Sequence, residues 1–200
     1  MLRMMRTIKV EFFLFCRDFI KKDRDESFMS KLKSKQFFME LEVLYSQISG
    51  DKIQIIKNVL TNTYKDILKV YIDEEIELID EAYTLQRRQY NAEILLNYLI
   101  RNKKRGIGLW VVSKDIYSSG MNFVFGLAQP FKGAILSIYR LLNKRLIEKE
   151  VVHEVGHVLG LPHCSNNCVM QYSNSLWEAE IKPSYLCEEC KKKINLIYSY

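Results

Sequence analysis

One stretch, HEVGHVLGLPHCSNNC at positions 153 to 168, restricts this chain more than any other. It holds all three histidines of the chain and two of its five cysteines. His153 and His157 are four residues apart, so on a helix they lie one turn apart on the same side and can present imidazole nitrogens to one ion. Glu154 follows the first of them and can approach a metal-bound water without being a ligand. Gly160 then falls where helices commonly end on a left-handed residue, and Pro162 discourages any continuation. The chain can therefore bend back and bring His163 to the same ion. Three neutral imidazoles would leave the fourth position of a tetrahedral zinc open, the arrangement of a catalytic rather than a closed structural site.

By residue frequencies, HExxH arises by chance in roughly one chain in a hundred of this size, and the added glycine and histidine lower that by about two orders of magnitude. The competing interpretation is three histidines packed around a helix end. A second cluster follows: Cys164 and Cys168 enclose three residues, Cys187 and Cys190 enclose two, and together they can satisfy a tetrahedral thiolate site. Zinc is the favoured occupant, with a disulfide, iron or unligated thiols as alternatives. Cys16 lies apart from this cluster and reads as a small apolar packing residue.

The chain has 200 residues, enough for one hydrophobic core and short for two. With 48% apolar residues, 27% charged residues and three prolines, it has the composition of a folded protein. The net charge of +6 is scattered, as in Lys21-Lys22, Arg87-Arg88 and Lys191 to Lys193, so a solvated basic surface is favoured over a nucleic-acid partner. In the opening segment Arg17 and Asp18 interrupt the apolar run Phe12 to Phe15 before it reaches signal-peptide length. No stretch approaches a membrane span. A cytoplasmic protein is expected, in which cysteines more often bind metal or stay reduced than pair.

The periodicity predicts an α/β layer fold, a sheet with covering helices. Ile8 to Phe15 reads as β-like, Phe37 to Tyr45 as weakly helical and Ile53 to Ile55 as a short strand. Lys57 to Leu68 has helical spacing, and LKVYIDEEIELI reads as one or two strands. LQRRQYNAEILLNYLIRNK resumes helical spacing, with Tyr90, Ile94, Leu95 and Tyr98 on the buried face. IGLWVV, MNFVFG and GAILSIY are predicted strands between turn signals. Leu141 to Leu159 is predicted as the last helix, with Leu142, Leu146, Val155 and Leu159 toward the sheet.

HExxHxxGxxH followed by Met170 in a separate turn resembles the metzincin clan of zinc peptidases. Within it, Cys164 directly after the third histidine, Cys168 beside Val169-Met170 and the closing CEEC resemble the archaemetzincins. AYTLQRRQY, GLWVVSKDIY, MNFVFG and ILSIYRL extend the resemblance over roughly residues 50 to 190. Two intervals, Cys164 to Cys168 and Met170 to Cys187, are each about one residue shorter than the usual family spacing.

The resemblance implies a zincin-like twisted mixed sheet with an active-site helix and a small zinc-bound C-terminal subdomain. It implies an upper catalytic part over 46–160 and a lower part over 161–200, and leaves residues 1–45 as an N-terminal extension that it does not explain. It makes His153, His157 and His163 the ligands of a catalytic zinc, Glu154 the general base, and Cys164, Cys168, Cys187 and Cys190 the ligands of a structural zinc, two Zn2+ per chain. Met170 becomes the Met-turn residue that shapes the floor of the site, and MNFVFG the edge strand above the cleft, with Asn122 and Phe123 near an antiparallel peptide. Tyr172 lies where some metzincins place a tyrosine near zinc, but it reads rather as a turn aromatic packed on the lower part.

The chemistry is consistent with this assignment: zinc would acidify its bound water, Glu154 would take the proton during attack on a peptide carbonyl, and the same carboxyl could protonate the leaving amine. The expected activity is that of a zinc metallopeptidase acting on a peptide or protein. The rival from another class is a metal-stabilised binding protein with little or no turnover, against which the carboxylate of Glu154 argues. A third possibility, a nucleic-acid module on a four-cysteine ribbon, draws on Lys191 to Lys193, Tyr198 and Tyr200.

Overall fold

In the run IGLWVV every residue is buried, because the strand it forms is covered on both faces. Leu109 and Val111 face one core, with Leu41, Val43, Ile56, Leu60, Val151 and Val155. Trp110 and Val112 face the other, with Leu44, Leu95, Leu99 and Ile135. This is the alternation that a strand imposes. The computed structural model describes residues 38–198.

In chain order these form β1 (Met39–Ser46), α1 (Gly50–Thr63), β2 (Leu68–Glu75), β3 (Tyr83–Thr84), β4 (Gln89–Asn91), α2 (Ala92–Asn102) and β5 (Ile107–Val112). There follow β6 (Ile116–Tyr117), β7 (Gly126–Gln129), β8 (Gly133–Ser137), α3 (Lys144–Val158), α4 (Leu176–Ile181) and α5 (Glu188–Tyr198). A sheet in the order β2-β1-β5-β8-β7 carries the fold. Its strands are parallel except β7, which pairs antiparallel with β8 and forms one edge. The short β3, β4 and β6 make a second sheet. Helices α1 and α3 contribute to the first core and α2 to the second. The result is the mixed, helix-covered sheet expected of the zincin-like class.

Several local expectations are corrected. Residues 39 to 46 are a strand, not a weak helix, and so belong to the sheet rather than to an N-terminal extension; residues 1–37, including the β-like run at 8–15, lie outside the described residues. The deciding group is Glu42, buried in mid-strand, whose carboxylate accepts from the backbone N–H groups of Lys104 (2.6 Å) and Arg105 (2.9 Å). Ile53 to Ile55 lies inside α1, whose inner face is Ile53, Ile56 and Leu60.

Tyr90 belongs to β4, because Asn91 accepts from Ile94 N–H and starts α2 only at Ala92. The buried face of α2 is then Leu95, Leu96 and Leu99, leaving Ile94 and Tyr98 partly exposed. α3 starts at Lys144, capped by Asn143, which places Leu142 outside it and exposed.

MNFVFG is not a strand over Met121 to Phe125. Among those residues only Val124 forms a bridge, to Ile116, and the edge strand begins at Gly126. Arg87 donates to the carbonyls of Met121 and Asn122, Gln89 also donates to Asn122, and the Arg140 guanidinium lies 4.1 Å over the Phe123 ring. Side chains from elsewhere thus occupy the carbonyls a ladder would need. Among the described residues, no helix is long and apolar enough to cross a membrane.

Candidate active site

Helix α3 is buried almost throughout its second half, so it can present polar groups to a cleft only from a fixed position. Tyr64, fully buried, anchors it by donating to the carbonyl of Val152 at 2.8 Å. The helix ends as the residues dictate: Gly160 has φ +93°, its N–H bonds to His157 O, and Leu161 N–H bonds to Gly156 O. This pair of bonds is the Schellman closure that a left-handed glycine permits. The chain reverses there and carries His163 back to the helix.

Three ring nitrogens, one each from His153, His157 and His163, lie within 4.8 Å of one another. His153 Nδ1 is 2.9 Å from Val169 O and His157 Nδ1 is 2.8 Å from Leu161 O. A carbonyl can only accept, so each Nδ1 carries the proton and each Nε2 keeps a lone pair for an ion. The two Nε2 atoms are 3.1 Å apart, close to the roughly 3.3 Å edge of a tetrahedron with Zn–N bonds of about 2.0–2.1 Å. Burial holds His153 well below the usual imidazole range and brings His157 down to about 4. His163 is lowered too, by burial and then by the charge of Lys182. The rings are therefore neutral at neutral pH, the form that ligates a cation.

Glu154 adjoins this cluster. Burial, reinforced by the charge of Glu150, pushes its carboxyl up to about 8, with Lys182 opposing. A nearby cation would draw it back toward the ionised form. Met170 is fully buried under α3, where Gly156 lets its sulfur approach: a Cβ on Gly156 would sit 2.5 Å from Met170 Sδ. Tyr172 is half exposed, packed edge-on against the His163 ring at 4.8 Å between centroids. The cluster opens on a cleft of about 340 Å³, walled by Phe123, Phe125, Gly126 and Tyr172, with Glu150 and Lys182 also lining it. Asn122 does not line it.

The four cysteines converge separately, each offering a sulfur within 4.8 Å of the others, and none forms a disulfide. Cys164 Sγ and Cys187 Sγ are 3.8 Å apart, the sulfur separation of a tetrahedron with Zn–S bonds of about 2.3 Å. Burial pushes the Cys190 thiol well up. At Cys187 burial also raises it, but hydrogen bonds from the Cys190 backbone and the other thiols outweigh this and bring it down to about 7. A set of thiols packed this closely fits a bound cation that takes them as thiolates.

Residues 56–196 match peptidase family M54. A crystal structure of the archaemetzincin of Archaeoglobus fulgidus, complexed with malonate, superposes with a TM-score of 0.72 at 36% identity, covering 78% of this chain and 99% of that one. The chain belongs to the archaemetzincins, peptidase family M54. Its metzincin-clan membership and zinc-dependent metallopeptidase class follow. The archaemetzincin of Methanopyrus kandleri gives a TM-score of 0.73 at 31% identity, covering 82% of this chain and 97% of that one. The archaemetzincin of Nanoarchaeum equitans is 49% identical over 121 residues, 60% of this chain and 71% of that one.

On this archaemetzincin scaffold the histidines, Glu154 and the cysteines named from sequence come together in two clusters, and Phe123 reaches the cleft while Asn122 does not. Sequence reasoning missed Gly126, Glu150 and Lys182. Glu150 had a signal, lying four residues before Glu154 on the same helical face; Lys182 had none.

Gly126 starts β7 directly against Glu154, where a Cβ would sit 2.5 Å from Glu154 Cδ. Gly126→Ala is therefore expected to keep fold and metal content, because the side chain can swing aside, while peptide hydrolysis falls by about 10²-fold through misplacement of the carboxylate. Turnover measured beside a thermal melt and elemental analysis checks this; unchanged turnover would show that the close approach has no bearing on activity.

Proposed function

We propose that this chain hydrolyses peptide bonds of extended peptides, with zinc held by His153, His157 and His163 and with Glu154 as general base. A second, structural zinc is held by Cys164, Cys168, Cys187 and Cys190, giving two ions per chain. The observation that carries this reading is the placement of one buried carboxylate beside three neutral imidazoles at the wall of a single cleft.

Zinc, when bound, polarises the scissile carbonyl and acidifies the attacking water. Glu154 accepts the proton released by that water and then donates it to the leaving amine, a task suited to a carboxyl whose pKa lies above the ordinary range. Val169 O and Leu161 O orient two of the imidazoles. Met170 supports the helix from below and touches no reacting atom.

Among the described residues β7, Gly126–Gln129, is paired on one side only, by β8, and the peptide pairs with its other side. Phe123 and Phe125, in edge-to-face contact at 5.4 Å, form the apolar wall beside it. Asn122 acts at one remove, through a carbonyl that fastens the rim loop. The cleft divides an upper part, ending in α3, from a lower part that begins near residue 161.

The test is to incubate zinc-loaded protein with a diverse peptide mixture and to identify new termini by mass spectrometry. Cleavage is expected to stop with a zinc chelator and return when zinc is restored. Peptide binding without any new termini would favour the metal-stabilised binding protein instead.

A further inference from the structure

The inner end of the cleft carries charge that hydrolysis does not use. Glu150 lies one turn before Glu154 on α3, and Lys182, just beyond α4, meets it with Lys182 Nζ 2.8 Å from Glu150 Oε1. Their side chains are only 2% and 3% exposed, yet both line the cleft, as does Ser173. The two hold one another as a buried pair, which leaves the other N–H groups of Lys182 unused, and Ser173 Oγ lacks a hydrogen-bond partner. Lys149 does not supply one, because its ammonium is turned to the carbonyls of Ala179 and Glu180.

We propose that Glu150, Lys182 and Ser173 form a side-chain subsite for the substrate residue next to the cleaved bond, and that it selects a primary carboxamide, as in glutamine or asparagine. The inference rests on the peptidase reading above. One helical turn is about 5.4 Å, so a side chain that reaches Glu150 while the peptide carbonyl lies near Glu154 belongs to a residue flanking that carbonyl.

The choice among side chains is decided by charge and hydrogen bonding. The pair is neutral as a unit, so a third charge of either sign would be buried without compensation. An apolar side chain would leave the Ser173 hydroxyl and the unused N–H groups of Lys182 without partners. A carboxamide does neither: its oxygen accepts from Lys182, its NH2 donates to Glu150, and the Ser173 hydroxyl can serve as donor or acceptor. Sites with buried polar groups discriminate strongly against ligands that leave them unpaired.

The experiment starts from a peptide whose cleavage point has been mapped and replaces each flanking residue in turn by Gln, Glu, Lys or Leu. Binding of fluorescent versions to zinc-loaded Glu154→Gln is read by anisotropy, with cleavage by the parent in parallel. At one of the two positions the Gln peptide is expected to bind at least about tenfold tighter than the other three. Ser173→Ala reduces that preference. The double variant Glu150→Leu with Lys182→Met, which replaces the ion pair by apolar side chains and so avoids a lone buried charge, shifts it to Leu. Peptides bound or cleaved with no carboxamide preference, or a ranking unchanged in the double variant, overturn the subsite alone. A protein that neither cleaves nor binds any peptide overturns the peptidase reading and the subsite with it.

Discussion

Replacing Glu154 by glutamine is expected to lower peptide hydrolysis by about 10²–10⁴-fold, the usual contribution of a positioned general base, with fold and metal content unchanged. The amide has the size of the carboxylate and its hydrogen-bonding reach, and it occupies the same pocket beside Gly126, but it cannot take a proton from water. Because Glu154 is not among the three clustered imidazoles, the ion has no reason to leave. Single-turnover rates on a mapped peptide, with elemental analysis on the same sample, separate the two effects. A variant that cleaves as fast as its parent would remove Glu154 from the mechanism.

The second large effect is on stability. The double variant Cys187→Ser with Cys190→Ser should bind one zinc instead of two and melt at least about 10 °C lower. Structural zinc sites contribute about 10–16 kcal/mol of binding free energy in small domains, which is comparable to the whole stability of about 5–15 kcal/mol of an ordinary domain. The consequence reaches the cleft. Val169, whose carbonyl orients His153, directly follows Cys168, and its N–H bonds to Tyr185 O in the segment leading to Cys187. The variant is therefore expected to lose activity as well, whereas a His157→Ala variant should lose the other ion with a smaller fall in melting temperature. Elemental analysis and thermal melts of both decide it; a cysteine variant that kept two ions and its melting point would rule out the thiolate site.

How much of this could be read from the chain follows from how local each feature is. His153, Glu154, His157, Gly160 and His163 lie within eleven residues. Helical period, the glycine stop and the return of His163 are all properties of that segment, and the fold supplies the burial that keeps the rings neutral and the Val169 carbonyl that orients His153. IGLWVV was equally legible, because a short apolar run rich in β-branched and aromatic residues, bounded by turn signals, favours a strand covered on both faces. The cysteines stood between these cases: each pair is local, and the chemistry of thiolates predicted a meeting that the fold had to bring about.

Other features were decided by partners far away in sequence. Residues 39 to 46 satisfy helical and strand spacing alike, and they settle as a strand because β2 and β5 flank them and the Lys104-Arg105 turn receives the carboxylate of Glu42. Residues 121 to 125 have strand composition but are held as a loop by Arg87, Gln89 and Arg140. Glu150 and Lys182 are 32 positions apart, and neither identity nor spacing announces their contact. The two candidate ligand sets are legible in the chain, because ligand type and the spacing within each short segment are written there. Where the edge strand begins and which charges line the cleft depend on the folded chain, because strand pairing and buried ion pairs take their free energy from groups that the intervening chain does not specify.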